Sequence, residues 1–198
     1  MKHLKVFGLA AVAAMALMAF VGASTASATA LYSGATKLGA GTVIEASLTG
    51  GTATLTTTEG TVLDTCTGGG VTGKTSNAGG AAETVKGTIS ALTWSGCTEP
   101  TTTLKTGGLE IHYTSGLNGT LTSTGGTEVT ISTTIFGSCV FTIGAGGTIG
   151  TLTGSTTSNA VLHVNATATR LSGLCPASAK WAGTYTVTNP KTLHVTAS

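Results

Sequence analysis

The sequence predicts an all-β fold: a disulfide-stapled antiparallel β-sandwich, immunoglobulin-like or related, with no substantial helix after an N-terminal export signal. Three observations carry this. Apolar and polar residues alternate with a period of two through most of the chain, the pattern of half-buried strands. Thr makes up roughly a fifth of the residues, far above ordinary usage, and its β-branched side chain fits a pleated surface. Thirty glycines supply the turns between the strands. Many short strands separated by Gly turns read as a sandwich or barrel.

Residues 1–28 have the three parts of a signal peptide: Lys2 and Lys5, an apolar run over 6–22, and the small-residue cleavage site Ala26-Ser27-Ala28. The run is marginal in length for a membrane span. No second hydrophobic span occurs near the C-terminus, so no transmembrane anchor is expected after cleavage. The mature chain, 29–198, is expected to be a single secreted β-sandwich domain, extracellular or at the cell surface. Two small β domains divided near 116 are the alternative, but no Pro-rich or charged linker marks that boundary. The formal charge of +2 includes Lys2 and Lys5; without them seven basic residues balance seven acidic ones. A neutral protein with 8% charged residues has no electrostatic basis for binding nucleic acid or an anionic membrane.

Strands are predicted over 43–48, 52–57, 61–66, 71–76, 84–95, 101–105 and 109–114, then 119–124 and 128–135, with Gly125-Gly126 between them as a hairpin signal. Further strands follow over 139–143, 148–153, 160–169, 180–188 and 192–197. Alternation assigns faces. Leu109, Ile111 and Tyr113 oppose Glu110 and His112. Leu162, Val164, Ala166 and Ala168 oppose His163, Asn165 and Thr167. Leu193, Val195 and Ala197 oppose Thr192, His194 and Thr196. Trp181, Tyr185 and Val187 join the core. In 84–95 the phase slips after Ile89, which predicts a bulge near Ala91 or burial on both faces.

The four cysteines, Cys66, Cys97, Cys139 and Cys175, read as two disulfides in an exported chain. Three pairings are possible. Closing the shorter loops favours Cys66–Cys97 with Cys139–Cys175, each worth about 3 kcal/mol on the loop-entropy account. A zinc site would show closely spaced cysteine pairs, and there are none.

Residues 68–75 fit the phosphate-binding pattern G-x-x-x-x-G-K-[ST] letter for letter. The context fails. Ser76-Asn77-Ala78-Gly79-Gly80 cannot start a stable helix, and the only Asp, Asp64, precedes the loop. A glycine hairpin leading into a strand is the preferred reading. His112, His163 and His194 could bind zinc only by converging; each is read as a solvated surface histidine. Glu110 with His112 is a same-face pair of the kind any strand shows. No G-x-S-x-G elbow and no paired carboxylates for glycoside cleavage stand out. No catalytic, metal or cofactor-binding residue is therefore assigned, and no cofactor is expected. Thr rows such as Thr52, Thr54 and Thr56 read as the solvent side of an uncharged β protein.

Three segments resemble a group of small secreted β-rich proteins of soil actinobacteria with no known function. They are Gly73-Lys74-Thr75-Ser76-Asn77-Ala78-Gly79, Ile89-Ser90-Ala91-Leu92-Thr93-Trp94-Ser95-Gly96-Cys97, and the stretch 175–188 beginning Cys175-Pro176-Ala177. The resemblance implies export, β architecture and paired cysteines; it supplies no activity and no site residue. The expected role is a secreted or cell-surface structural or adhesive binding module, not an enzyme, with a cell-envelope or extracellular partner. A carrier of a small hydrophobic ligand is the alternative and an extracellular hydrolase the third. A carrier needs an apolar cavity lined by residues such as Trp94, Tyr113 and Trp181; a hydrolase needs Glu and His converging in a cleft.

Overall fold

The computed structural model describes residues 28–198, so the expected export signal, 1–28, lies outside the described residues except for Ala28. The first strands are β1 (Ala30–Ser33), β2 (Thr36–Lys37), β3 (Val43–Leu48), β4 (Ala53–Thr57) and β5 (Val62–Thr75). Then come β6 (Val85–Cys97), β7 (Thr101–Lys105), β8 (Gly108–Tyr113), β9 (Gly119–Gly125) and β10 (Thr127–Thr133). β11 (Gly137–Ile143), β12 (Thr148–Thr153), β13 (Val161–Ser172), β14 (Ser178–Asn189) and β15 (Leu193–Thr196) complete the chain. No helix occurs among the described residues. The all-β, antiparallel, disulfide-stapled fold expected from composition and alternation is the fold observed.

The pairings join into a ring. β3 and β4 both pair with β5, β5 with β6, and β6 with β8. The hairpin β8–β9 continues in the same register into β7–β10. β9 pairs with β12 and β10 with β11; β12 and β11 both pair with β13. β13 pairs with β14, and β14 returns to β3 and β4. Eight staves thus follow one another in chain order around a common interior: β3–β4, β5, β6, β8–β7, β9–β10, β11–β12, β13 and β14. The two faces of the sandwich are continuous at both edges. Each connection joins neighbours, without the Greek-key crossover of an immunoglobulin domain.

Two predicted strands, 61–66 and 71–76, merge into the single long β5. Residues 68–75 lie wholly within it, flanked by β3 and β6. The phosphate-loop pattern is therefore extended, doubly paired strand, and the expected glycine hairpin is not formed there. Its glycines meet close neighbours: a Cβ on Gly69 would stand 2.5 Å from the Thr93 carbonyl oxygen. Gly125-Gly126 is a second correction. β9 and β10 do not pair with each other, so these residues, with φ of 93° and 89°, kink one stave where a hairpin was expected. Ser90 is the extra residue opposite the Thr72/Gly73 step, so the bulge predicted near Ala91 is present and restores Leu92 and Trp94 to the inner face.

The interior has two clusters. One contains Val85, Ile111, Leu121, Leu152, Leu162, Tyr185 and Val187, together with Leu31, Leu193 and Val195. The last three come from a separate small sheet, β15–β1–β2, which caps this end of the ring. The other cluster contains Leu55, Leu63, Ile131, Phe141, Ala168, Ala179 and the Cys139–Cys175 pair. The structure joins Cys66 to Cys97 and Cys139 to Cys175, the shorter-loop pairing. Cys66 and Cys97 stand directly opposite each other on β5 and β6. Residue 116 lies in the connection between β8 and β9, which pair with each other.

The kink between β7 and β8 gives a direct test of the backbone packing. A Cβ on Gly107 would lie 2.3 Å from the Gly125 carbonyl oxygen and 2.7 Å from the Thr127 nitrogen. Gly107→Ala is expected to lower stability by about 1–3 kcal/mol, the usual range for overpacking. Gly39→Ala, where a Cβ meets nothing within 4 Å, serves as the neutral control in the same urea titration.

Candidate functional site: an apolar chamber and its polar seam

Between the two clusters the side chains do not fill the ring. A cavity of about 200 Å³ remains, lined by residues that include Leu55, Leu92, Ile131, Phe141 and Leu162. Native interiors hold few voids larger than a water molecule, so a gap of this size is a feature of the fold to be explained. Both tryptophans of the chain line it. Trp94 on β6 and Trp181 on β14 meet edge to face, with ring centroids 4.9 Å apart and planes at 84°, the geometry that ring quadrupoles favour. Of the three aromatics named for such a cavity, Trp94 and Trp181 are in its wall. Tyr113 packs instead against the cluster at the capped end.

The polar atoms of these aromatics are paired. Trp94 Nε1–H donates to Thr103 Oγ1 at 2.9 Å, and Thr103 Oγ1–H donates to the Leu92 carbonyl at 3.1 Å. Trp181 Nε1–H donates to the Tyr185 hydroxyl oxygen at 3.3 Å. Burial raises the Tyr185 phenol above its ordinary pKa, and the bond from Trp181 offsets this only in part.

The Trp94–Thr103–Leu92 chain marks the one lapse in the ring. β6 has ladder partners on β8 from Val85 to Thr88, and Ile89 N–H still donates to the Gly107 carbonyl. Beyond that point β6 has no register with β7, which ends the strand order of the large sheet. Side chains span this seam. At its base stands Asp64, the chain's only Asp, with 0% of its surface exposed. Its carboxylate accepts from Thr98 Oγ1 at 3.0 Å, Glu99 N–H at 3.0 Å and Thr101 Oγ1 at 2.6 Å. A buried carboxylate is tolerated when it is hydrogen-bonded, and here the donors come from the β6–β7 turn and the first residue of β7. Asp64 also stands near the sulfurs of Cys66 and Cys97; those sulfurs are bonded to each other, so neither is a thiolate ligand.

The histidines occupy three different settings. His112 lies on the outer wall, its Nε2 3.6 Å from Glu110 Oε2 and 3.2 Å from Thr122 Oγ1. A proton relay needs the nucleophile and the orienting carboxylate on opposite ring nitrogens; here both face Nε2. His163 is exposed on β13 and faces Thr184. With Lys180 and the Thr side chains of β4 it edges an open polar depression over Gly50 and Gly51. His194 departs from expectation. It is only 5% exposed, stacked on Tyr32 with centroids 5.7 Å apart. It belongs to the cap, where Leu193 and Val195 of β15 pack against the ring and His194 lies under Tyr32.

Comparison with family models, with curated proteins and with solved structures gives no match to this chain.

Asp64 offers the test of the seam. Asp64→Ala strips the acceptor from three donors, and each buried donor left unsatisfied costs about 1–3 kcal/mol. The variant is expected to unfold at markedly lower urea concentration. Hydrogen exchange at the amides of Thr98, Glu99 and Thr101 should accelerate more than exchange in β13. Uniform acceleration across both regions would mean that Asp64 does not act locally on the turn.

Proposed function

We propose that the protein is an extracellular carrier or binder of a small hydrophobic molecule held inside the ring. The observation that carries this reading is the apolar cavity of about 200 Å³ with both tryptophans in its wall. An eight-stranded barrel is at the size where the interior is either filled by side chains or left to hold one small ligand. An apolar cavity of about 150 Å³ already suffices to take up benzene. The β15–β1–β2 sheet covers one end of the chamber through Leu31, Leu193 and Val195. The two disulfides suit an oxidising environment. Among the described residues no helix is long and apolar enough to cross a membrane.

The bicyclic hydrocarbon indane is matched in size to the chamber. It is expected to bind one molecule per chain and to change the fluorescence of Trp94 and Trp181. Ala168→Leu, which adds three carbons at a wall position, should weaken that binding about tenfold. Full indane affinity in the variant, or none in the parent protein, would remove the carrier reading.

The second reading, a structural or adhesive module at the cell surface, rests on a different observation. Ile135 and Leu174 are 82% and 80% exposed, and Val62 and Leu171 are also exposed. These four lie in or beside the turns at the disulfide end; the fifth exposed aliphatic residue, Leu104, lies within β7. Exposed aliphatic groups concentrated in one place mark contact surfaces. On this reading, adsorption of the protein to its own producing cells should be lost in the double variant Ile135→Ser, Leu174→Ser and retained in Ala168→Leu. The opposite pattern would exclude it.

A further inference from the structure

The chamber wall is apolar, but one of its polar groups is half used. Both indole N–H groups are committed, Trp94 to Thr103 and Trp181 to Tyr185. Three other wall hydroxyls spend their protons on the protein: Thr101 on Asp64, Ser123 on the Ile143 carbonyl and Thr142 on the Thr127 carbonyl. Tyr185 differs. Its oxygen accepts the Trp181 N–H, and among the described hydrogen bonds its own proton has no acceptor. A phenol is both donor and acceptor, and a buried tyrosine ordinarily finds a partner for its hydroxyl. Here the indole fixes the oxygen from one side and leaves the donor for whatever occupies the cavity. Burial raises the phenol's pKa, so the proton is present throughout the neutral range.

We propose that the chamber selects small, uncharged, largely apolar molecules carrying one hydrogen-bond acceptor, a ketone, ester or ether oxygen, which takes the Tyr185 hydroxyl proton. This rests on the carrier reading and adds the ligand's chemical class to it. The wall offers no charged group facing inward to match an ionic ligand: Lys74 and Lys86, the two charged residues that border the chamber, are exposed to solvent. Burying a ligand carbonyl without a partner is costly, so the Tyr185 donor favours an oxygenated ligand. Trp181 acts as a positioning residue, since its N–H holds the phenol oxygen in place.

The test compares 1-indanone with indane, two molecules of nearly the same shape that differ by one carbonyl. Affinities are measured by ligand-observed NMR titration on the purified, oxidised protein and on Tyr185→Phe, which keeps the ring and removes the donor. The ketone-to-hydrocarbon affinity ratio is expected to fall about tenfold in the variant, the size of one net hydrogen bond. Indane affinity itself should change little. A ratio equal in the two proteins, with indane still bound, overturns the Tyr185 assignment and leaves the carrier reading standing. Binding of neither molecule to the parent protein overturns both. The infrared carbonyl stretch of bound 1-indanone supplies a readout that needs no variant. A shift to lower frequency relative to the ketone in hydrocarbon solvent supports the donated bond, and an unshifted band rules it out.

Discussion

The return of β14 onto β3 and β4 is the constraint on which the rest of the structure depends. An open sheet exposes unpaired N–H and C=O groups along its edges. Soluble proteins guard those edges with charges, prolines or covering elements. This chain has few charges and three prolines, and its outer face is mainly Thr, which pairs readily with further strands. Joining the last long strand to the first removes the exposed edges of the ring, except at the β6–β7 seam, without needing either device. It also makes the interior a chamber rather than the filled layer between two sheets, because the opposed walls are tied at both sides and cannot slide together.

Closure by backbone pairing lapses between the second half of β6 and β7, and the polar residues of the interior concentrate there. Trp94, Thr103 and the Leu92 carbonyl replace ladder bonds with side-chain bonds. The buried Asp64 carboxylate gathers the turn that joins the two strands. The neighbouring Cys66–Cys97 bond ties the end of β6 to β5. A carboxylate, an indole and a disulfide within one short stretch are what a ring needs when one joint lacks its hydrogen-bond ladder. The seam is accordingly the part of the wall whose opening breaks the fewest backbone bonds.

Local pattern made the strand faces legible and left the partners hidden. The alternation in Leu109, Ile111 and Tyr113, and in Leu162, Ala166 and Ala168, states which side chains point inward, because the period of a strand is a local property. The phase slip after Ile89 exposed the bulge for the same reason. Gly125-Gly126 shows the limit. Two glycines permit a hairpin and a kink equally well, and the outcome is decided by β7, β8, β11 and β12, which pair across the same point. Alternation presumes one wet face and so places His194 in solvent, whereas β15 is covered by the ring on one side and by Tyr32 on the other. At the chamber, Trp94 and Trp181 could be recognised as inward residues from their parity. The spare proton of Tyr185 could not, since it follows from the approach of Trp181 on the next turn of the pleat.

Composition explains why side chains leave the chamber unfilled. Aromatic residues are 5% of the chain, and the buried inward positions of the staves include Ala46, Ala53, Ala166, Ala168 and Ala179. Small side chains spaced along eight staves cannot reach one another across a ring of this girth, whose width is set by the number of strands and their stagger. At the two ends the problem is solved from outside the ring, by Leu31, Leu193 and Val195 of the cap and by the Cys139–Cys175 pair. The aromatic residues of the chamber wall are Trp94, Trp181, Tyr185 and Phe141, and two of these hold each other edge to face. A chain selected only for a well-packed core would place Leu or Phe where Ala46 and Ala168 line the chamber, since filling such a gap is among the easiest routes to added stability. The retained space, with a hydroxyl proton left over at its wall, is therefore more economically explained by an occupant than by imperfect packing.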